Sequence, residues 1–198
     1  MQILRRDDFP ALPWKNGLGV SRVIAAQPQR AGYDALLWQV STTEIAADCR
    51  FSDLPGMDRR FMLIEGAGVQ LAFGDTATGV NQKYAAVARY APVEFRGDWK
   101  TDCRLTDGPV QVLNVMTRRG RADAQVAVKR WGGSMLCIQR SGESLLVVML
   151  DGRVQIPGEA APLVPNDAVL LDSGRGEVCE IEAPQSVARV VTVRLTMR

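Results

Sequence analysis

Apolar residues along this chain recur at every second position far more often than at every third or fourth. Residues 36–41, 60–64, 69–73, 93–95 and 103–105 each alternate or run apolar for a few positions. So do residues 110–115, 145–150, 154–156 and 187–195. Most of these segments are separated by Gly, Pro, Asp or Asn. Short period-two segments between turn residues predict β-strands, and their number predicts an all-β sandwich or barrel. Helical periodicity is confined to one candidate turn at residues 44–47.

The strand pattern also repeats. Ile64-Glu65-Gly66 matches Leu150-Asp151-Gly152 at an offset of 86, and Val69-Gln70-Leu71 matches Val154-Gln155-Ile156 at 85. Cys103-Arg104-Leu105 matches Cys179-Glu180-Ile181 at 76, and 112–115 matches 190–193 at 78. Four matches in the same order read as a duplication. Each copy is an apolar strand, an acidic-Gly turn, an alternating strand and a later returning pair, which suits a small antiparallel jelly roll. The expected architecture is therefore two tandem cupin-like barrels, a bicupin with little helix. The first domain is expected at 1–120, with the ligand pocket, and the second at 121–198, joined at the polar stretch 119–123.

Composition sharpens this picture by exclusion. The 198 residues are 46% hydrophobic, enough for a large core and too many for a disordered chain. There is no histidine. A His-ligated metal site, a Ser-His or Cys-His nucleophile pair and an imidazole acid–base relay are all ruled out. With 24 basic and 22 acidic residues the net charge is +2, and no basic stripe calls for nucleic acid. The N-terminus lacks an apolar signal segment, and no run reaches the roughly 20 residues of a membrane span. A cytoplasmic protein is expected, without cofactor, metal, nucleic-acid or membrane partner. Cys49, Cys103, Cys137 and Cys179 form no C-x-x-C pair and read as buried free thiols.

The polar residues that can carry chemistry gather in the first half. Lys15, Asn16 and Arg22 flank Gly17 and Gly19 in a segment that fits a tight turn or a ligand loop equally. No strand-then-helix context supports a phosphate loop there. Glu44 follows a Ser-Thr-Thr run, and Arg59 follows the Pro55-Gly56 turn at the mouth of a strand. Arg59 reads either as a surface ion-pair member or as a clamp for a ligand carboxylate. Glu65 ends an apolar strand, where a hairpin carboxylate is the simpler reading. Asn114 interrupts an apolar run and so faces an interior, as a core amide or a pocket donor. Arg118, four residues on, shares its strand face.

These residues resemble the HutD/Ves family. The resemblance rests on Trp14-Lys15-Asn16-Gly17-Leu18-Gly19, on Phe51-Ser52-Asp53-Leu54-Pro55-Gly56-Met57-Asp58-Arg59, and on Glu65-Gly66-Ala67-Gly68. It continues through Gly108-Pro109-Val110 to Asn114, Met116 and Arg118-Arg119-Gly120, so it covers residues 1 to about 120. The flanks of Arg22, here Ser21 and Val23, depart from the family's usual acid or Thr. The resemblance implies a bicupin-like protein that accompanies bacterial histidine utilisation, with stress-induced Ves relatives and no established enzyme activity. It implies a non-catalytic regulator that binds N-formimino- or N-formylglutamate. On charge, Lys15, Arg22, Arg59 and Arg118 would meet the carboxylates of such a small dicarboxylate. Asn16 and Asn114 would meet its amide-like end, with Glu44 and Glu65 holding the cations or meeting the formimino group. The alternative is a metal-free cupin enzyme, an isomerase or hydrolase with Glu65 or Lys15 as acid or base. Whether the chain pairs as a homodimer is left open.

Overall fold

The computed structural model describes residues 1–14, 19–74, 81–83, 87–172 and 174–198, with side chains at all of these except 81–83, 185 and 186. The chain is all-β: among the described residues the only helical element is a 3-10 turn at Arg6–Asp8. The chain divides into two compact units, Pro10–Arg121 and Met1–Phe9 together with Ala122–Arg198.

The Pro10–Arg121 unit is a sandwich of two antiparallel sheets. Six strands form one sheet: β2 (Ala11–Pro13), β3 (Val20–Gln27), β4 (Trp38–Ile45), β11 (Val110–Arg118), β6 (Met57–Glu65) and β9 (Val93–Arg96), in that order. The other is β5 (Cys49–Arg50), β10 (Lys100–Leu105), β7 (Val69–Gly74) and β8 (Asn81–Lys83). Alternation sends Phe61, Leu63, Val110 and Val112 from the larger sheet and Val69, Leu71, Phe73 and Cys103 from the smaller into one shared core. Full burial of each such side chain stabilises the fold by about 1.5–3 kcal/mol.

The second unit contains β1 (Gln2–Leu4), β14 (Ala168–Leu171), β13 (Glu143–Asp151), β15 (Glu177–Met197) and β12 (Ala122–Gln139) in one five-stranded order. Strands β12 and β15 pair along almost their whole length, with a register break at Trp131/Gly133, where Gly133 takes a φ of 77°. The break lets one long ribbon serve two layers, around a core that includes Leu145, Val147, Leu163, Ile181 and Val190. The N-terminal strand belongs here through Gln2↔Leu170 and Leu4↔Ala168. Asp167 fastens it. This buried carboxylate accepts from Arg5 Nη1 at 2.9 Å, from the Arg6 N–H at 3.0 Å and from the Val164 N–H at 3.2 Å.

The duplication reappears in strand register. In the first unit Asn114 lies opposite Phe61 and Met116 opposite Arg59. Applying the sequence offsets of 78 and 86 leads to Thr192 opposite Val147 and Arg194 opposite Leu145, which are paired in β15 and β13. Three local expectations change. Glu44 and Ile45 belong to β4 rather than to a helical turn, because their side chains alternate out and in across a paired strand. Residues 154 and 155 make isolated bridges instead of a full strand. Strand β12 has no counterpart in the sequence reading.

Candidate functional site

One face of the six-stranded sheet collects polar side chains from neighbouring strands. Residues 39, 41 and 43 of β4 share a face, so Gln39, Ser41 and Thr43 are buried together. Ser21 of β3 lies opposite Thr43, Asn114 of β11 opposite Ser41, and Arg59 of β6 opposite Met116. Trp14, Tyr33, Phe51, Ser52 and Leu54 wall the resulting cleft from the flanking loops. It opens to solvent at its mouth.

Arg59 is the centre of this cleft. It is only 8% exposed, and among the described residues no carboxylate pairs with it. Its guanidinium carbon lies 4.9 Å from the centroid of Phe51 and 5.0 Å from that of Phe95. Phe95 sits directly opposite Arg59 on β9, so the sheet register itself places this aromatic wall. The negative faces of the two rings favour the cation at a largely buried site. They do not satisfy its donors. Nη2 donates to Asn114 Oδ1 at 3.3 Å, whereas Nε has no protein partner. Burial pushes the Arg59 guanidinium down to about 10, against a smaller opposing influence from Tyr33. Burial likewise raises the Tyr33 phenol, and Arg59 opposes that rise.

A chain of hydrogen bonds holds Asn114 in place. Asn114 Nδ2 donates to Thr43 Oγ1 at 3.5 Å, Thr43 and Ser21 share a hydroxyl bond of 2.7 Å, and Trp14 Nε1 donates to Ser21 Oγ at 2.9 Å. Ser41 Oγ and Gln39 Nε2 are buried on the same face without protein partners. Of these, Arg59 Nε and Ser41 Oγ belong to residues that line the cleft and are left with donor capacity there. A carboxylate suits such a set, because it accepts several hydrogen bonds and neutralises the buried charge.

Two of the eight expected site residues, Arg59 and Asn114, meet in this cleft. Lys15 and Asn16 lie outside the described residues. Arg22 and Glu44 are exposed, one position out of phase with the inward-facing Ser21, Thr43 and Ile45. Glu65 is exposed at the end of β6. Arg118 turns away to bind backbone: Nε donates to the Leu36 carbonyl at 3.1 Å, and its other nitrogens reach the carbonyls of Tyr33, Asp34 and Pro55. It holds the loop that carries Tyr33 rather than facing the cleft. Sequence reasoning passed over Trp14, Ser21, Tyr33 and the Gln39-Ser41-Thr43 row. The available signal was the row itself, three polar residues at period two in a strand that begins and ends on the apolar Trp38 and Ile45.

Among the described residues the second unit has no counterpart of this arrangement. Leu145 stands where Arg59 stands in the first, and it packs in an apolar core. Among the described residues no group of three Cys, Asp or Glu could hold a metal ion, and no helix is long and apolar enough to cross a membrane.

Comparison with known proteins agrees with this arrangement of strands. The chain is 37% identical over 121 residues to protein Ves of Citrobacter koseri, a match covering 61% of this chain and 59% of that protein. The chain therefore spans about three fifths of that curated relative's length. It is 24% identical over 156 residues to an uncharacterised 21.2 kDa protein of the hutC 3′ region of Pseudomonas putida, covering 79% and 77% of the two chains. Among solved structures, a conserved protein of unknown function from Pseudomonas aeruginosa PAO1 superposes with a TM-score of 0.81 at 24% identity over 98% of both chains. HutD from Pseudomonas fluorescens SBW25 superposes with a TM-score of 0.77 at 24% identity, covering 100% of this chain and 98% of that one. A cupin 2 conserved barrel domain protein from Leptotrichia buccalis matches at 0.54 and 13% identity over 87% and 86% of the two chains, so the fold is cupin-like. The sequence profile of the HutD family matches residues 6–189, and the chain belongs to that family.

Proposed function

We propose that this protein is a non-catalytic, cytoplasmic binder of a small carboxylate metabolite of histidine breakdown, N-formimino- or N-formylglutamate, and that it senses or buffers that compound. Family membership links the chain to histidine utilisation. The observation that carries the ligand class is Arg59, a buried guanidinium with an unpartnered Nε and no carboxylate beside it. A buried charge without a counter-ion is costly, and an incoming carboxylate supplies the missing charge and acceptors together.

The expected crowd of cations reduces to one described arginine between two aromatic faces. One carboxylate is therefore seated on Arg59, Ser41 and Asn114, while the remainder of the ligand lies toward the mouth between Trp14 and Tyr33. Among the described lining residues the titratable side chains are Arg59 and Tyr33, a pair better suited to holding an anion than to moving protons.

Thermal melting with the two glutamate derivatives and with their dimethyl esters tests this reading. The free acids should raise the melting temperature, since ligand at 100 times Kd stabilises by about 2.7 kcal/mol. The esters should not, and Asn114→Ala should reduce the shift. Equal shifts from acids and esters would contradict the assignment of Arg59 as a carboxylate anchor.

A further inference from the structure

Cys49 and Cys103 are direct cross-strand partners, Cys49 on the two-residue edge strand β5 and Cys103 on β10. Directly opposed antiparallel residues have Cα atoms about 4.5–5.5 Å apart, inside the roughly 4.4–6.8 Å span that a disulfide bridges. Both side chains line one surface cleft, with Asp48, Gln70 and Arg104 around them. Both thiols are free, Cys49 partly exposed and Cys103 buried. We propose that Cys49 and Cys103 form a peroxide-sensitive dithiol that closes to a disulfide across β5 and β10.

The electrostatics assign the roles. The Cys103 thiol beside it holds the Cys49 thiol below the ordinary thiol range, against burial and the Asp48 charge. Cys49 is therefore the attacking thiolate. Cys49 in turn raises Cys103, together with burial and Asp48, so Cys103 stays protonated until Cys49 has reacted. The Cys49 sulfur attacks a peroxide oxygen, the O–O bond breaks, and the departing hydroxide takes a proton to become water. Cys49 is then a sulfenic acid, and its contribution to raising Cys103 is gone. Cys103 gives up its proton, its sulfur attacks Cys49 Sγ, the S–O bond breaks, and a second water leaves. Two thiols have lost two electrons, and one peroxide has become two waters.

The second unit supplies an internal control. Cys137 and Cys179 are also direct cross-strand partners, but both are buried, and burial first of all raises both thiols, Cys137 to about 11. This pair should stay reduced when the first has closed. The bond also reaches the anion cleft. Phe51 follows β5 directly, its N–H donates to the Thr101 carbonyl of β10 at 2.9 Å, and its ring covers Arg59. Closing the disulfide fixes the strand that carries this wall, whichever anion Arg59 takes.

The test treats the full chain with hydrogen peroxide, blocks remaining thiols with iodoacetamide, and maps peptides without reduction. Expected is a Cys49–Cys103 linked peptide two hydrogens lighter than the sum of its parts, with Cys137 and Cys179 still alkylated. Cys103→Ser should give no link and leave a Cys49 sulfenic acid that dimedone traps. Equal alkylation of Cys49 and Cys103 before and after peroxide would overturn the proposal. So would a Cys137–Cys179 link that forms first, or a Cys103→Ser protein whose Cys49 takes no dimedone.

Discussion

Arg59 costs the folded protein stability before any ligand arrives. Its folded pKa of about 10 lies well below the ordinary guanidinium value, so burial opposes the charged form by about 3 kcal/mol, at about 1.36 kcal/mol per pH unit. Stacking on two rings returns part of that, about 0.5–2 kcal/mol for a desolvated pair. Arg59→Met, which fills the same space without charge, should therefore raise the unfolding free energy of the unliganded protein by about 1–2 kcal/mol while removing anion binding. Chemical denaturation in urea measures the first effect, and unchanged or lower stability would contradict it. The pH dependence has a definite sign. Below about 10 both folded and unfolded states carry the proton, and the cost is present in full. Above about 10 the folded state loses its proton while the unfolded state keeps it, so this residue's contribution makes stability rise with pH. Ligand affinity should fall over the same range as the guanidinium loses its proton. The difference between wild type and Arg59→Met isolates both effects, and an affinity flat to pH 11 would exclude Arg59 as the charged anchor. Of this residue chemistry, Arg59 and Asn114 were legible as side chains at a strand mouth and in an apolar run. That Arg118 faces backbone carbonyls was not legible, because strand parity says which face a side chain leaves and not what a loop folded against that face presents.

Each unit has one contact between elements that can be tested by itself. Gly97 lies so close to the loop behind the cleft that an added Cβ would stand 2.3 Å from the Leu54 carbonyl oxygen. Its own backbone pairs with that loop, donating to the Met57 carbonyl at 2.7 Å and accepting from the Leu54 N–H at 2.9 Å. Gly97→Ala must displace Leu54, which lines the cleft, and should cost about 2–3 kcal/mol, at the severe end of single substitutions. A destabilisation below about 0.5 kcal/mol in urea, the scale of an ordinary surface substitution, would show that the contact yields easily. In the other unit, Asp167→Ala removes all the bonds that carboxylate makes to Arg5, Arg6 and Val164. It should cost about 2–3 kcal/mol, less than a fully buried pair because Arg5 remains 32% exposed. Faster hydrogen exchange at residues 2–4 than in wild type is the local sign of the loosened strand, and unchanged exchange there would contradict it. The sequence exposed the central strands of both units because their inward faces are apolar. Strand β12 escaped notice because it carries Gln125, Lys129, Arg130, Gly132, Gly133 and Ser134 along an edge, where one side of the ladder needs no apolar partner. Strand β1 escaped because three residues show no period, and its partner lies more than 160 positions away.

Across the whole molecule, one strand pattern recurs in both units, and among the described residues the buried Arg59 belongs to one of them. The register of β11 with β6 recurs in β15 with β13, and in both units two cysteines face each other across strands. The difference lies inside. Arg59, Ser41 and Asn114 occupy one barrel, while Leu145, Ala127 and Thr192 stand at the corresponding places of the other, with Thr192 donating to the Ala127 carbonyl at 3.2 Å. With no histidine in the chain, the polar side chains of the cleft include an arginine, an amide and hydroxyls. The most direct measurement is calorimetric titration of the full chain, wild type and Arg59→Met, with N-formylglutamate at neutral pH. One site per chain is expected, with affinity reduced about 100-fold or more in the variant, as for truncation of a desolvated, hydrogen-bonded charge. No binding to the wild type, two equivalent sites, or undiminished binding to Arg59→Met would contradict the assignment.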